Sequence, residues 1–136
     1  MNERATILTF TLAVSLLIAA VVFGAASSMS TASHSGGGVT VKATYRTPQP
    51  ADELRFEVAL DAHSVDLDGY DLKSIALLRD AGGKTYEPVR IENKGSGHHR
   101  DANVIFPRPP GGPQQVELIV KDIAGIKERA FRFKIS

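Results

Sequence analysis

Cysteine is absent from this sequence. That excludes a disulfide framework, a thiolate metal site and a lipidated cysteine anchor, so the fold is held by its core alone. Charge of one sign is missing as well: 16 Lys and Arg stand against 15 Asp and Glu, a formal net charge of +1. A dedicated nucleic-acid binder carries a strongly basic face, and that class is excluded. Nor is the chain short of core-forming residues. With 43% hydrophobic and 23% charged residues in 136 positions, it has the composition of one globular domain with an appendage.

The patterns of common catalytic sites are also lacking. The sequence holds no strained nucleophile elbow, phosphate-binding glycine loop or zinc-protease helix. Ser64 directly follows His63, and chain neighbours rarely make a nucleophile–base pair, which needs side chains converging from separate segments. The expectation is a protein that is not an enzyme.

What is present begins at the N-terminus. "ATILTFTLAVSLLIAAVVFGAA", residues 5–26, carries no charge. About 20 apolar residues at about 1.5 Å each span a bilayer core of about 30 Å, whereas the apolar part of a cleaved signal peptide is about 7–15 residues. Residues 1–26 are therefore read as a signal anchor that holds the protein to the membrane, with a cleaved signal peptide as the alternative, because "GAASS" offers small residues for a peptidase. Arg4 is the only basic side chain before Lys42, which places the N-terminus in the cytoplasm and the rest outside. Both readings export residues 27–136. The small polar segment "SSMSTASHSGGG", 27–38, reads as a flexible tether, with His34 as polar filler.

From residue 39 the pattern has a period of two. Val39, Val41, Ala43 and Tyr45 alternate with Thr40, Lys42, Thr44 and Arg46; Leu54, Phe56, Val58 and Leu60 alternate with Arg55, Glu57 and Asp61. Val116, Leu118 and Val120, and then Phe131, Phe133 and Ile135, repeat the pattern near the C-terminus. Such alternation marks strands with one face in a core. Apolar runs at 72–80, 85–92 and 103–106 add three more, with Pro88 making the middle one an edge or bulged strand. Turn signals separate every run, and no segment after residue 39 shows a helical period, so the one helix expected is the N-terminal transmembrane or signal helix. Seven short strands predict an all-β domain over 39–136, an antiparallel immunoglobulin-like β-sandwich without the usual Cys–Trp–Cys core, and a small barrel is the second choice. The run "FPRPPGGP" reads as a stiff connector.

Two turns are more polar than a turn requires. "LDAHSVDLDGYD", 60–71, offers Asp61, His63, Asp66, Asp68 and Asp71, with Gly69 allowing a sharp bend. Its carboxylate spacing departs from the helix-loop-helix calcium pattern, and the simpler reading is a set of Asx-turns. "KGSGHHRD", 94–101, places His98 and His99 in a glycine loop. Imidazole is a common ligand of zinc and copper. If both turns share one end of the fold, His63, His98 and His99, with Asp66 or Asp68, form a candidate copper or zinc site. A pairing of His99 with Asp101 that tunes a pH response is a further reading, and a plain polar loop another.

The segments "LDAHSVDLDGYDLKSIALLRDAGGKTYEPV", "GHHRDANVIFP" and "VELIVKDIAGIKERAFRF" resemble a family of small exported or membrane-anchored domains of bacteria and archaea. The likeness covers nearly all of 39–135 and rests on His63, Ser64, Val65, Asp66 and Leu67 and on Gly97, His98 and His99. "NKGSG" departs from the pattern before the histidine pair. The resemblance implies an exported β domain and carries no activity with it. Two functions stay in view: a structural or protein-interaction module with a partner at the cell envelope, and a metal-handling module.

Overall fold

The computed structural model describes residues 28–135. The signal-anchor reading of 1–26 lies outside the described residues, among which no helix is long and apolar enough to cross a membrane. The strands are β1 (Ser28–Gly36), β2 (Val39–Thr47), β3 (Glu53–Ala62), β4 (Ala76–Asp80), β5 (Thr85–Tyr86), β6 (Arg90–Asn93), β7 (His99–Pro107), β8 (Gln115–Ile123) and β9 (Ile126–Lys134), with one helical turn, α1 (Leu72–Ile75). They form two antiparallel sheets, ordered β1-β2-β3-β7-β6 and β5-β4-β8-β9.

The period-two segments bury the faces expected of them. Leu54, Phe56, Val58 and Leu60 of β3 are fully buried and meet Val39, Val41, Ala43 and Tyr45 of β2 in one core with Leu118, Val120, Phe131 and Phe133 of the opposite sheet. Phe56 is the hub, with ring centroids 5.4 Å from Tyr45, 6.0 Å from Phe106 and 5.3 Å from Phe133. Each such side chain contributes about 1.5–3 kcal/mol on leaving water.

The described residues form nine strands, and seven were expected. The difference has two local causes. The segment 28–36, expected to be part of a tether, is a strand, paired with β2 over its whole length from Ser28↔Thr47 to Gly36↔Val39. Gly37 and Gly38, at φ 63° and 80°, close this hairpin, because a two-residue turn of the favoured hand needs positive φ at both positions. The run 85–92 also divides: β5 belongs to one sheet and β6 to the other. Pro88 sits in the crossing, where its missing N–H breaks no ladder.

The single turn α1 is a further departure, since no helix was expected after residue 39. Asp71 caps it, its carboxylate accepting from the Lys73 N–H at 3.1 Å and from the Ser74 hydroxyl. A cap of this kind satisfies N–H groups that have no partner within a helix. Hydrophobic period alone cannot reveal so short an element.

Candidate functional site

The two polar turns do share one end of the molecule. β3 runs antiparallel to β7, and the register puts Asp61 opposite His99. Residues 63–71 leave the end of β3 and residues 94–98 lead into β7, so the loops meet directly.

They are sewn together by backbone and side-chain bonds. The Ala62 N–H donates to the His98 carbonyl at 2.9 Å and the Leu67 N–H to the Gly97 carbonyl at 3.2 Å. Asp68 Oδ1 accepts from the Gly97 N–H at 2.8 Å, and Gly97 takes a φ of 75° that most side chains avoid. Asp66 Oδ1 accepts from the Asp68 N–H at 3.0 Å, which is the Asx-turn read from the sequence. His98 Nδ1 lies 2.8 Å from the Val65 carbonyl; a carbonyl only accepts, so this nitrogen carries the proton.

Beneath the histidines lies a residue the sequence reading passed over. Arg100 is 9% exposed. Its guanidinium donates to the carbonyls of Leu67 (3.0 Å) and Tyr70 and to Asn93 Oδ1 (3.1 Å). One planar cation thus fixes the 63–71 loop against both β7 and β6. No carboxylate is among these acceptors, so the charge is satisfied by oriented carbonyl dipoles.

The five proposed metal donors are not brought into one cluster. His63 is exposed and shares a hollow of about 90 Å³ with Asp61 and His99. Asp66 and Asp68 are committed to backbone N–H groups. His98 turns its Nδ1 to Val65 and His99 its Nδ1 to Asp61 Oδ1 at 2.6 Å. Among the described residues no group of three or more His, Asp or Glu side chains is placed to hold a metal ion. Neighbouring side chains point to opposite faces of an extended chain, and here each imidazole is turned to its own acceptor. The pairing of His99 with Asp101 gives way to Asp61. Residues two apart on a strand are separated by about 7 Å, whereas Asp61 lies directly across the ladder.

The same Asp61-to-Arg100 end is therefore a cross-braced corner. A concave surface lies instead on the outer face of the five-stranded sheet. There the connection after β2 folds back, held by the Gln49 side chain, which donates to the Arg55 carbonyl at 3.0 Å and accepts from the Arg55 N–H at 3.1 Å. Beneath it is a cleft of about 370 Å³ lined by Thr44, Arg46, Gln49, Arg55, Glu57 and Asn103, with Pro48 and Pro50 at its rim. Arg46 faces Glu57 at 3.5 Å, and Arg55 faces Glu92 at the same distance. Arg55 Nε is buried and meets no acceptor among the described residues. The alternation of polar residues along β2 and β3 marked this face as outward. That a loop would roof it depended on Gln49, whose long-range bonds leave no local sequence signal.

No family model, curated protein or solved structure matches the chain.

Proposed function

We propose that this protein is an extracytoplasmic interaction module, held to the membrane through residues 1–26, which engages an envelope protein through the charged outer face of its five-stranded sheet. The observation that carries this reading is the cleft over β2 and β3: a sheet surface roofed by the loop that Gln49 holds, with the charged side chains of Arg46, Arg55 and Glu57 in its lining. The Arg55 side chain is 39% exposed at this concave surface, and such a guanidinium is suited to a carboxylate or carbonyl of another molecule. Arg46 and Glu57 offer charge of both signs beside it, which favours a polar protein surface over an apolar ligand.

The strand order supports an immunoglobulin-like sandwich. With β1 set aside, β2-β3-β7-β6 and β5-β4-β8-β9 follow the two-sheet order of that architecture, ABED against CFG with one added edge strand. This is a scaffold used for recognition in many proteins, and fold alone names no partner. The cross-bonded histidine corner adds rigidity to one end of it.

A photo-crosslinking residue placed at Arg46 in the full chain, in cells, tests the reading against the same residue placed at Lys121 on the other sheet. A discrete adduct from position 46 that disappears with Arg55→Ala is the expected result. Equal labelling from both positions overturns it.

A further inference from the structure

Each of the two sheets ends in two edge strands, and three of these four edges are guarded. β9 carries Lys127, Glu128, Arg132 and Lys134; β6 carries Arg90 and Glu92; β5 is two residues long and is followed by Glu87 and Pro88. Charge, proline and brevity are the usual protections against unwanted strand pairing. β1 has none of them. Its nine residues, Ser-Met-Ser-Thr-Ala-Ser-His-Ser-Gly, contain no Lys, Arg, Asp, Glu or Pro. Its register with β2 is unbroken, without a bulge, and no other strand among the described residues pairs with its outer edge.

We propose that β1 is a self-association edge, where a second copy of this chain adds its own β1 in antiparallel register and joins two five-stranded sheets into one. The second copy is favoured over an unlike partner by charge and symmetry. An uncharged strand meets itself across a two-fold axis with no like-charge pair, and the remaining edges of any copy are charged or short.

The hairpin turn fixes the register. Gly36 and Val39 flank a two-residue turn, so they and every second pair before them exchange hydrogen bonds within the hairpin. Met29, Thr31, Ser33 and Ser35 then direct their N–H and C=O groups outward. The antiparallel match that uses all four sets Thr31 against Ser33 of the second copy, and Met29 against its Ser35. The axis passes beside Ala32, which faces its own counterpart as a non-hydrogen-bonded pair with Cα atoms about 4.5 Å apart. Met29, 62% exposed and one of two exposed large hydrophobics among the described residues, gains a cross-strand neighbour in this arrangement. Met29 and Thr31 lie across the ladder from the cleft residues Arg46 and Thr44, and the identity of the crosslinked chain, a second copy or an unlike protein, separates this proposal from the cleft reading.

The absence of cysteine makes the test direct. Ala32→Cys in the full chain places one thiol beside the axis, within the separation a disulfide spans. Under mild oxidation it should give a crosslinked dimer at least tenfold faster than Lys127→Cys on the β9 edge. Ser33→Pro removes an outward N–H and leaves the β1–β2 ladder intact; Thr31→Lys sets positive charges beside the axis. Each, added to Ala32→Cys, should abolish the crosslink while its thermal melt confirms a folded domain. Equal crosslinking of the two thiols, a dimer that persists in both disrupting variants, or an adduct to an unlike chain overturns self-association through β1.

Discussion

Arg129 Nη2 donates to the Gly36 carbonyl at 2.9 Å, so a buried guanidinium on one edge strand, β9, bonds the edge strand of the opposite sheet, β1. Its Nη1 donates to the Ile123 carbonyl at 2.9 Å, and its Nε to His34 Nδ1 at 3.2 Å. Burial lowers the pKa of this guanidinium from its ordinary value, yet an arginine stays charged at every pH at which the protein is folded. Arginine only donates, so His34 Nδ1 is the acceptor in that bond.

Arg129→Met keeps most of the packing and leaves the two carbonyls without their donor. The expected loss is about 1.5–3 kcal/mol of stability, from charge-assisted bonds that nothing replaces. Hydrogen exchange should rise first in β1, where the contact with the second sheet is lost. Arg129→Lys should recover little, because a single ammonium cannot reach acceptors that a planar fork spans. A denaturant melt together with exchange rates checks both statements; uniform exchange across the domain would show that Arg129 is no clamp.

Within β9 the alternation that buries Phe131 and Phe133 reaches back two residues to Arg129. The inward position was thus legible in the period, although the residue type argued against it. His34 was not legible: in sequence it sits among serines, and its partner is 95 residues away. The same division holds at the loop corner. The strand faces, and the meeting of the two polar turns, follow from period and strand direction. The direction in which His98 and His99 turn their nitrogens depends on the Val65 carbonyl and on Asp61, which only the folded register brings near. Strand 28–36 escaped notice because small polar residues have weak β propensity, and its place is fixed by pairing with β2.

At the corner, the buried cation should matter more than the exposed histidines. Arg100→Ala removes the donor of three oxygens and should cost about 3 kcal/mol, as expected when buried acceptors lose a charged partner. Asp68→Ala, which frees only the Gly97 N–H at the surface, should cost about 1 kcal/mol. His63→Ala, whose side chain is exposed, should leave the melting temperature within error. An order of effects other than Arg100, Asp68, His63 would refute the bracing described above.

The same geometry bears on metal binding. Among the described residues nothing bonds Nε2 of His98 or His99, but two donors that do not converge with a third make a poor zinc or copper site. Calorimetric titration of the protein with Cu(II) or Zn(II) should give no micromolar isotherm that the His63→Ala, His98→Ala, His99→Ala variant removes. A saturable isotherm lost in that variant would restore the metal-handling reading.

Stability should have an acid limb set on the outer sheet face. The Asn103 amide, 3.1 Å from Glu92 Oε2, and then Arg90 hold the Glu92 carboxyl below the usual carboxylate range. A carboxylate with a lower pKa in the folded state contributes stability above its unfolded value, about 4.3 for glutamate, and loses it as pH falls through the folded value. Asp71 behaves alike, through the Ser74 hydroxyl and the Lys73 N–H. The melting temperature should therefore be insensitive to these groups above about pH 5 and fall below about pH 4.3. Asn103→Ala should flatten that fall, and an unchanged acid limb in this variant would remove Glu92 as its source.

The anchor proposed for residues 1–26 makes a prediction independent of the folded domain. An uncharged run of 22 residues, 5–26, preceded by Arg4, is long enough to stay in the bilayer. β1 begins at Ser28, so the domain would stand close to the membrane surface, without the 12-residue spacer that 27–38 would have supplied. In alkaline extraction the full chain should remain with the membrane pellet, and external protease should reach a tag placed after Ser136 but not one placed before Met1. Release of a protein whose N-terminus lies near residues 24–28 would establish cleavage at "GAASS" and an untethered domain. Protection of the C-terminal tag would reverse the orientation, and with it the placing of the cleft outside the cell.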